Sequence, residues 1–98
     1  MRLDVFLKLS RLEPRRTVAQ QLCEAAAVKV NDAVAKSSRE VRLGDRISIQ
    51  QRGQIKIVRV LDVPVRPPSK AQASALYEVL SIESYEEDEA FEIGILLE

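Results

Sequence analysis

Three arginines fall within eight residues in the segment SRLEPRRT, Ser10 to Thr17, of a chain with no net charge. Guanidinium groups that crowd together in this way suit phosphate or carboxylate, because each presents a planar fork of N–H donors. Arg2 and Lys8 precede the cluster, so Arg2, Lys8, Arg11, Arg15 and Arg16 form a basic set interrupted only by Asp4 and Glu13. Scattered singly, such side chains would keep a helix face soluble. Five of them beside two acids point instead to an anionic partner. Arg16 at the start of a helix would add its fork to unpaired backbone amides, a combination that favours phosphate.

The neutral total conceals a division. Residues 1–59 carry thirteen Lys and Arg against six Asp and Glu, whereas residues 60–98 carry two against nine. The first three-fifths therefore has the charge of a nucleic-acid binder, although the chain as a whole does not. Lys29, Lys36, Arg39 and Arg42 continue the basic character, and a wet sheet face explains this second patch as well as RNA does. The acidic run ESYEEDE near the end reads as a solvated segment. A sharper alternative has it folding back on the arginines and discouraging non-specific RNA.

Other chemistries find little support. The chain has no histidine, its one cysteine, Cys23, falls on the apolar stripe of a helix, and no nucleophile–base pair is apparent. Cys23 reads as a small core residue, and a zinc site or an intramolecular disulfide is not expected. No apolar run has transmembrane length and no signal-peptide pattern is present, so a soluble cytoplasmic protein is expected. A DNA-binding helix-turn-helix would need more than Gln20 and Gln21 on its recognition face. A protein-interaction module, with the arginines on an acidic partner, stays open as a second class.

The elements that position these residues follow from periodicity. Leu3, Phe6 and Leu7, with Val5, Leu9 and Leu12, recur at helical offsets and predict a first helix that stops before Pro14. Asp4 sits in its first turn, where it can face Arg2 or Lys8 or serve the helix dipole. A second helix is expected from about Arg15 to Ala26, buried through Val18, Ala19, Leu22, Cys23 and Ala26. Its start is open between a box over Thr17–Gln20 and Pro14 at the first helical position. Val28-Lys29-Val30 alternates as a strand before an Asn31-Asp32 turn, and Gly44-Asp45 reads as another turn before Ile47 and Ile49. In QIKIVRV the apolar residues occupy both parities, which predicts a bulge or burial on both faces. Three prolines in VPVRPPSK end the sheet. SKAQASALYEVLSI is expected as a C-terminal helix with Ala71, Ala75, Leu76, Val79 and Leu80 inward, and AFEIGILLE as a docked or frayed end. The whole predicts an α+β domain: two N-terminal helices on a small twisted antiparallel sheet, with a C-terminal helix.

These residues carry a resemblance. The opening Arg2-Leu3-Asp4, Arg16 with Ala19, Val28 to Asn31, Lys36, and Leu43 to Ile47, in this order and spacing, resemble the S4-like RNA-binding domain (the alpha-L motif) over about residues 1–50. The short chain, the KLSRL and RRT runs and ALYEVL resemble its ribosome-associated quality-control branch, related to the small heat-shock S4 proteins. A proline-rich connector and packed helix are expected over 63–83 and an acidic tail, outside the matched part, over 84–98; the resemblance implies an S4-like domain over 1–62. It implies a non-catalytic protein without cofactor, metal, membrane or small-molecule ligand. Its partners would be rRNA and peptidyl-tRNA on obstructed large ribosomal subunits, with the P-site tRNA steadied while a partner factor adds C-terminal alanine tails. A general S4-domain role in ribosome assembly or heat-shock recycling is the alternative within the same class. By position, Arg2 and Arg16 match the most characteristic RNA-contacting arginines, and Lys8, Arg11, Arg15, Thr17 and Lys36 match other RNA-facing positions. Asp4 and Asn31 would support them, Asn31 by holding its turn. Where the family usually has glycine, this chain has Ala26 and Asp32, so the second helix must exit differently or carry strain.

Overall fold

A computed structural model describes residues 1–84; the acidic run from Tyr85 and the apolar segment 90–98 lie outside the described residues. Helix α1 (Leu3–Leu9) buries Leu3, Asp4, Phe6 and Leu7, and the stripe runs on to buried Ser10, so the i, i+3, i+4, i+7 pattern does set its inner face. It ends earlier than its apolar spacing suggests. The Ser10 hydroxyl donates to the Leu7 carbonyl at 3.2 Å, Glu13 N–H reaches the same carbonyl at 3.0 Å, and Arg11 takes a left-handed φ of 63°. Continuation is blocked before Pro14 is reached.

Helix α2 (Arg16–Glu24) starts by neither route open in the sequence. Arg15 is its cap residue, and Arg15 N–H donates to the Glu13 carboxylate at 3.1 Å. Ala19 and Cys23 are buried and meet Leu3, Phe6 and Leu7 of α1 in one core, with half-buried Leu22 packed against it; Val18 is half-buried outside that cluster. The helix closes with Ala27 N–H on the Leu22 carbonyl at 2.9 Å and Ala26 N–H on the Cys23 carbonyl at 3.1 Å. That is a Schellman ending, and it forces the residue at its left-handed position, Ala26, to a φ of 61°.

Strands β1 (Val28–Val30), β2 (Ala33–Val34), β3 (Arg46–Gln51), β4 (Gln54–Val60) and β5 (Tyr77–Ser84) make one antiparallel sheet in the order β2-β1-β3-β4-β5. Two hairpins turn through consecutive left-handed residues, Asn31-Asp32 (φ 51° and 70°) and Arg52-Gly53 (φ 54° and 76°), which suits the twist of the flanking strands. Val28, Val30, Ile47, Ile49, Val58 and Val60 project from the sheet into the helix-side core. The expected irregularity in QIKIVRV is present: Ile57 pairs with Ser81 but Val58 with Val79, so Leu80 of β5 is the extra residue.

The C-terminal helix is much shorter than its spacing implies. Helix α3 (Lys70–Ala73) opens with a capping box between Ser69 and Gln72, passes into a 3-10 turn (Ser74–Leu76), and stops. From Tyr77 the chain is the edge strand β5, so Val79 and Leu80 are not helical and are substantially exposed, as are Ala71 and Ala75. Only Ala73 and Leu76 are buried from this stretch. Tyr, Val and Ile favour a pleated strand, and β4 offers an open edge whose hydrogen bonds outweigh the helical pattern. Leu76 fixes the return, its carbonyl accepting from Leu61 N–H at 2.8 Å.

The Ala26 strain has a measurable consequence. A left-handed alanine costs about 1 kcal/mol relative to glycine. Ala26→Gly should therefore stabilise the protein by about that amount and raise Tm by roughly 4–8 °C in a thermal melt.

Candidate nucleic-acid interface

The basic residues are organised from below by a carboxylate. Asp4 sits in the first turn of α1 on the same stripe as Leu7 and Ser10, and is 0% exposed. Arg2 donates to it through Nε and Nη2 at 3.2 and 3.3 Å, Arg16 through Nε at 3.2 Å, and Gln20 through Nε2 at 2.9 Å. Arg16 and Gln20 lie one turn apart on α2, so both reach the same acceptor. A buried charge survives only when its lone pairs are met in this way. Both arginine side chains remain about half exposed, at 49% and 45%, although Asp4 beneath them is fully buried. Of the partners the sequence offered Asp4, the structure pairs it with Arg2 and not Lys8, adds Arg16 and Gln20, and does not use it as a helix cap.

The first turn of α1 is docked on the segment before β3. Leu3 N–H donates to the Arg39 carbonyl at 2.8 Å and Asp4 N–H to the Ser37 carbonyl at 3.1 Å, while the backbone of Arg2 pairs antiparallel with that of Glu40. This brings Lys36 beside Arg2, and together with Ser37 and Ser38 they line a hollow above buried Cys23. Burial pushes the Cys23 thiol up, as does the nearby charge of Asp4 and Glu24, which fits a core residue rather than a nucleophile.

A second buried acid underlies the other end. Glu13 is 3% exposed; it accepts from Gln51 Nε2 at 3.0 Å and from Arg15 N–H, and Arg15 Nε lies 3.8 Å away. Lys8 and Arg11 are exposed at the C-terminal end of α1, and Thr17 is exposed in the first turn of α2. Asn31 is turned to structure: its side chain accepts from Arg46 N–H at 3.0 Å and donates to Asp45 at 3.1 Å. Asp32 pairs with Arg46 at 2.8 Å and stays largely exposed. Sequence reasoning missed Gln20, Glu13 and Gln51 as organisers. Their one legible signal was an acid in phase with an apolar stripe at Asp4.

Both acids are shifted the same way. Burial pushes the Asp4 carboxyl up, but hydrogen bonds from Gln20, Arg2 and Arg16 and the Arg16 charge outweigh it and hold the group below its usual 3.8. For Glu13 burial again opposes, and Gln51, the Arg15 amide and the charges of Arg15 and Arg52 hold it below 4.5.

Two short helices with a cationic junction, set on a sheet that begins with a Val-Lys-Val strand and an Asn turn, define an S4-domain protein. The S4 domain model matches residues 1–47. Over 88 residues the chain is 36% identical to the RQC P-site tRNA stabilizing factor of Streptococcus pneumoniae, covering 90% of this chain and 99% of that one. It is 43% identical to the protein of the same name from Halalkalibacterium halodurans, covering 81% and 89%. The trimeric structure of Vibrio cholerae Heat Shock Protein 15 superposes with a TM-score of 0.76 at 26% identity, covering 83% and 82%. The chain belongs to the family of RQC P-site tRNA stabilizing factors. No helix among the described residues is long and apolar enough to cross a membrane.

Lowered carboxyl values make stability depend on acid. Well above pH 4.5 both groups are ionised folded and unfolded, and their contribution is complete; it is lost as pH falls from the unfolded values through the lowered folded ones. Denaturant melts across this range should show wild type losing stability steeply, and Asp4→Asn with Glu13→Gln showing a flatter profile from a lower plateau.

Proposed function

We propose that this chain is a non-catalytic RNA-binding factor of ribosome-associated quality control, acting in the cytoplasm on obstructed large ribosomal subunits. It grips rRNA and the P-site peptidyl-tRNA by their sugar–phosphate frames, and so steadies the tRNA while a partner factor adds C-terminal alanines. Arg2 and Arg16 are the principal contacts, flanked by Lys8, Arg11, Arg15, Thr17 and Lys36. Residues 1–62 act as the RNA-binding unit, with 63–83 packed on it. Family membership supports this reading, since the relatives are named as P-site tRNA stabilizing factors.

The observation that carries it is the shared hold of Asp4 on Arg2 and Arg16. Two guanidiniums fixed on one acceptor are spaced before any ligand arrives, so little rotamer entropy is lost on binding. Such a surface reads the shape and phosphates of A-form RNA rather than base sequence, because side chains cannot enter its deep groove. Five phosphate contacts correspond to a log–log salt slope of roughly −4 to −5.

Co-sedimentation with purified large subunits checks this across a salt series. Arg16→Ala should weaken association at every salt concentration and reduce the slope by about one unit, and Arg2→Ala should do the same. Either variant keeps Asp4 two donor residues, so both should stay folded by circular dichroism. Folded variants that sediment like wild type would overturn the assignment.

A further inference from the structure

At the C-terminal end of α1, Lys8, Leu9, Arg11 and Pro14 meet Pro67 and Pro68 of the connector around a hollow of about 220 Å³. Its composition differs from the rest of the ridge. Arg2, Arg15 and Arg16 lie over buried carboxylates. Around Lys8 and Arg11 the walls are instead three prolines and a leucine. A phosphate gains nothing from apolar walls; a flat ring does, because its faces are poorly hydrated and stack on guanidinium planes and hydrocarbon.

Size and stiffness narrow the ligand. The hollow is smaller than sites for drug-sized molecules, which run to about 300–1,000 Å³, and suits one base. Its walls are preset. Each proline fixes its own φ, and Pro67-Pro68 makes a stiff pair, so little freedom is lost on closing over a ligand. Arg11 is held by its left-handed backbone, with its N–H on the Lys8 carbonyl at 3.1 Å, two residues beyond the end of the helix. Lys8 supplies a compact charge and Arg11 a plane, which are the two complements of a nucleotide.

We propose that this hollow takes a single extruded nucleotide of RNA, its base stacked on the Arg11 guanidinium between the proline rings and its phosphate on Lys8. The inference rests on the RNA-binding reading above and adds to it a preference for RNA with an unpaired nucleotide. It also gives the proline connector, which lies beyond the matched residues 1–47, a part in recognition.

The test uses the full chain and two synthetic RNAs, a perfectly paired hairpin and the same hairpin with one 2-aminopurine bulge. Wild type should bind the bulged hairpin about tenfold tighter, within the range of one base–side-chain stacking contact, and the 2-aminopurine fluorescence should change on binding. In Arg11→Lys, which keeps the charge without the plane, and in Pro67→Ser/Pro68→Ser, the ratio of the two affinities should fall towards one. Equal wild-type affinity for the two RNAs would overturn the hollow and leave the phosphate ridge standing. A preference that survives both variants would place the base elsewhere and overturn it as well. Binding to neither RNA would overturn the RNA-binding reading and the hollow together.

Discussion

Removing the Asp4 carboxylate from water would cost several kcal/mol if it were left alone, and four hydrogen bonds from Arg2, Arg16 and Gln20 offset that cost. The arrangement works in both directions. Asp4 needs its donors, and the donors are held in place by Asp4, so α1, α2 and the residue before α1 are locked in one geometry by a contact smaller than a side chain. Because the donors are half exposed, much of the Coulomb energy is screened, and the contribution to stability is modest, about 1 kcal/mol per arginine. Its larger effect is on position. Glu13 repeats the device with Gln51 and Arg15, tying the α1–α2 turn to β3.

Burying both acids has an electrostatic consequence. Asp4 and Glu13 are the only acidic residues within the basic opening segment, and both lie beneath it. An approaching polyanion meets the guanidinium edges first, with the negative charges on the protein side of them. The charge pattern along the chain, alternating in sign, becomes layered in space.

Much of this was legible. The helical phase of Leu3, Phe6 and Leu7, the Val28–Val30 alternation and the double parity of QIKIVRV each set the feature they predicted, because in each the burial pattern and the local preference agree. Legibility failed where a tertiary offer overrode a local pattern. ALYEVLSI has helical spacing, yet the open edge of β4 takes it as a strand. Ala26 shows the reverse: the Schellman geometry is kept although the residue is a poor choice for it, since packing of Leu22 and Cys23 against α1 fixes where the helix must end. For the site, residue types were enough to nominate the arginines. Their common acceptor was hidden, because hydrogen bonds between Asp4 and Arg16 span twelve positions and leave no periodic trace.

The central claim is that Asp4 assists RNA binding from beneath, by holding Arg2 and Arg16, although its own charge repels phosphate. The two effects oppose each other in Asp4→Asn, which removes the charge and keeps the shape. The direct measurement is the affinity of folded Asp4→Asn protein for large ribosomal subunits at fixed salt. Weaker binding, despite one more unit of positive charge, is the result this account requires; unchanged or tighter binding would contradict it.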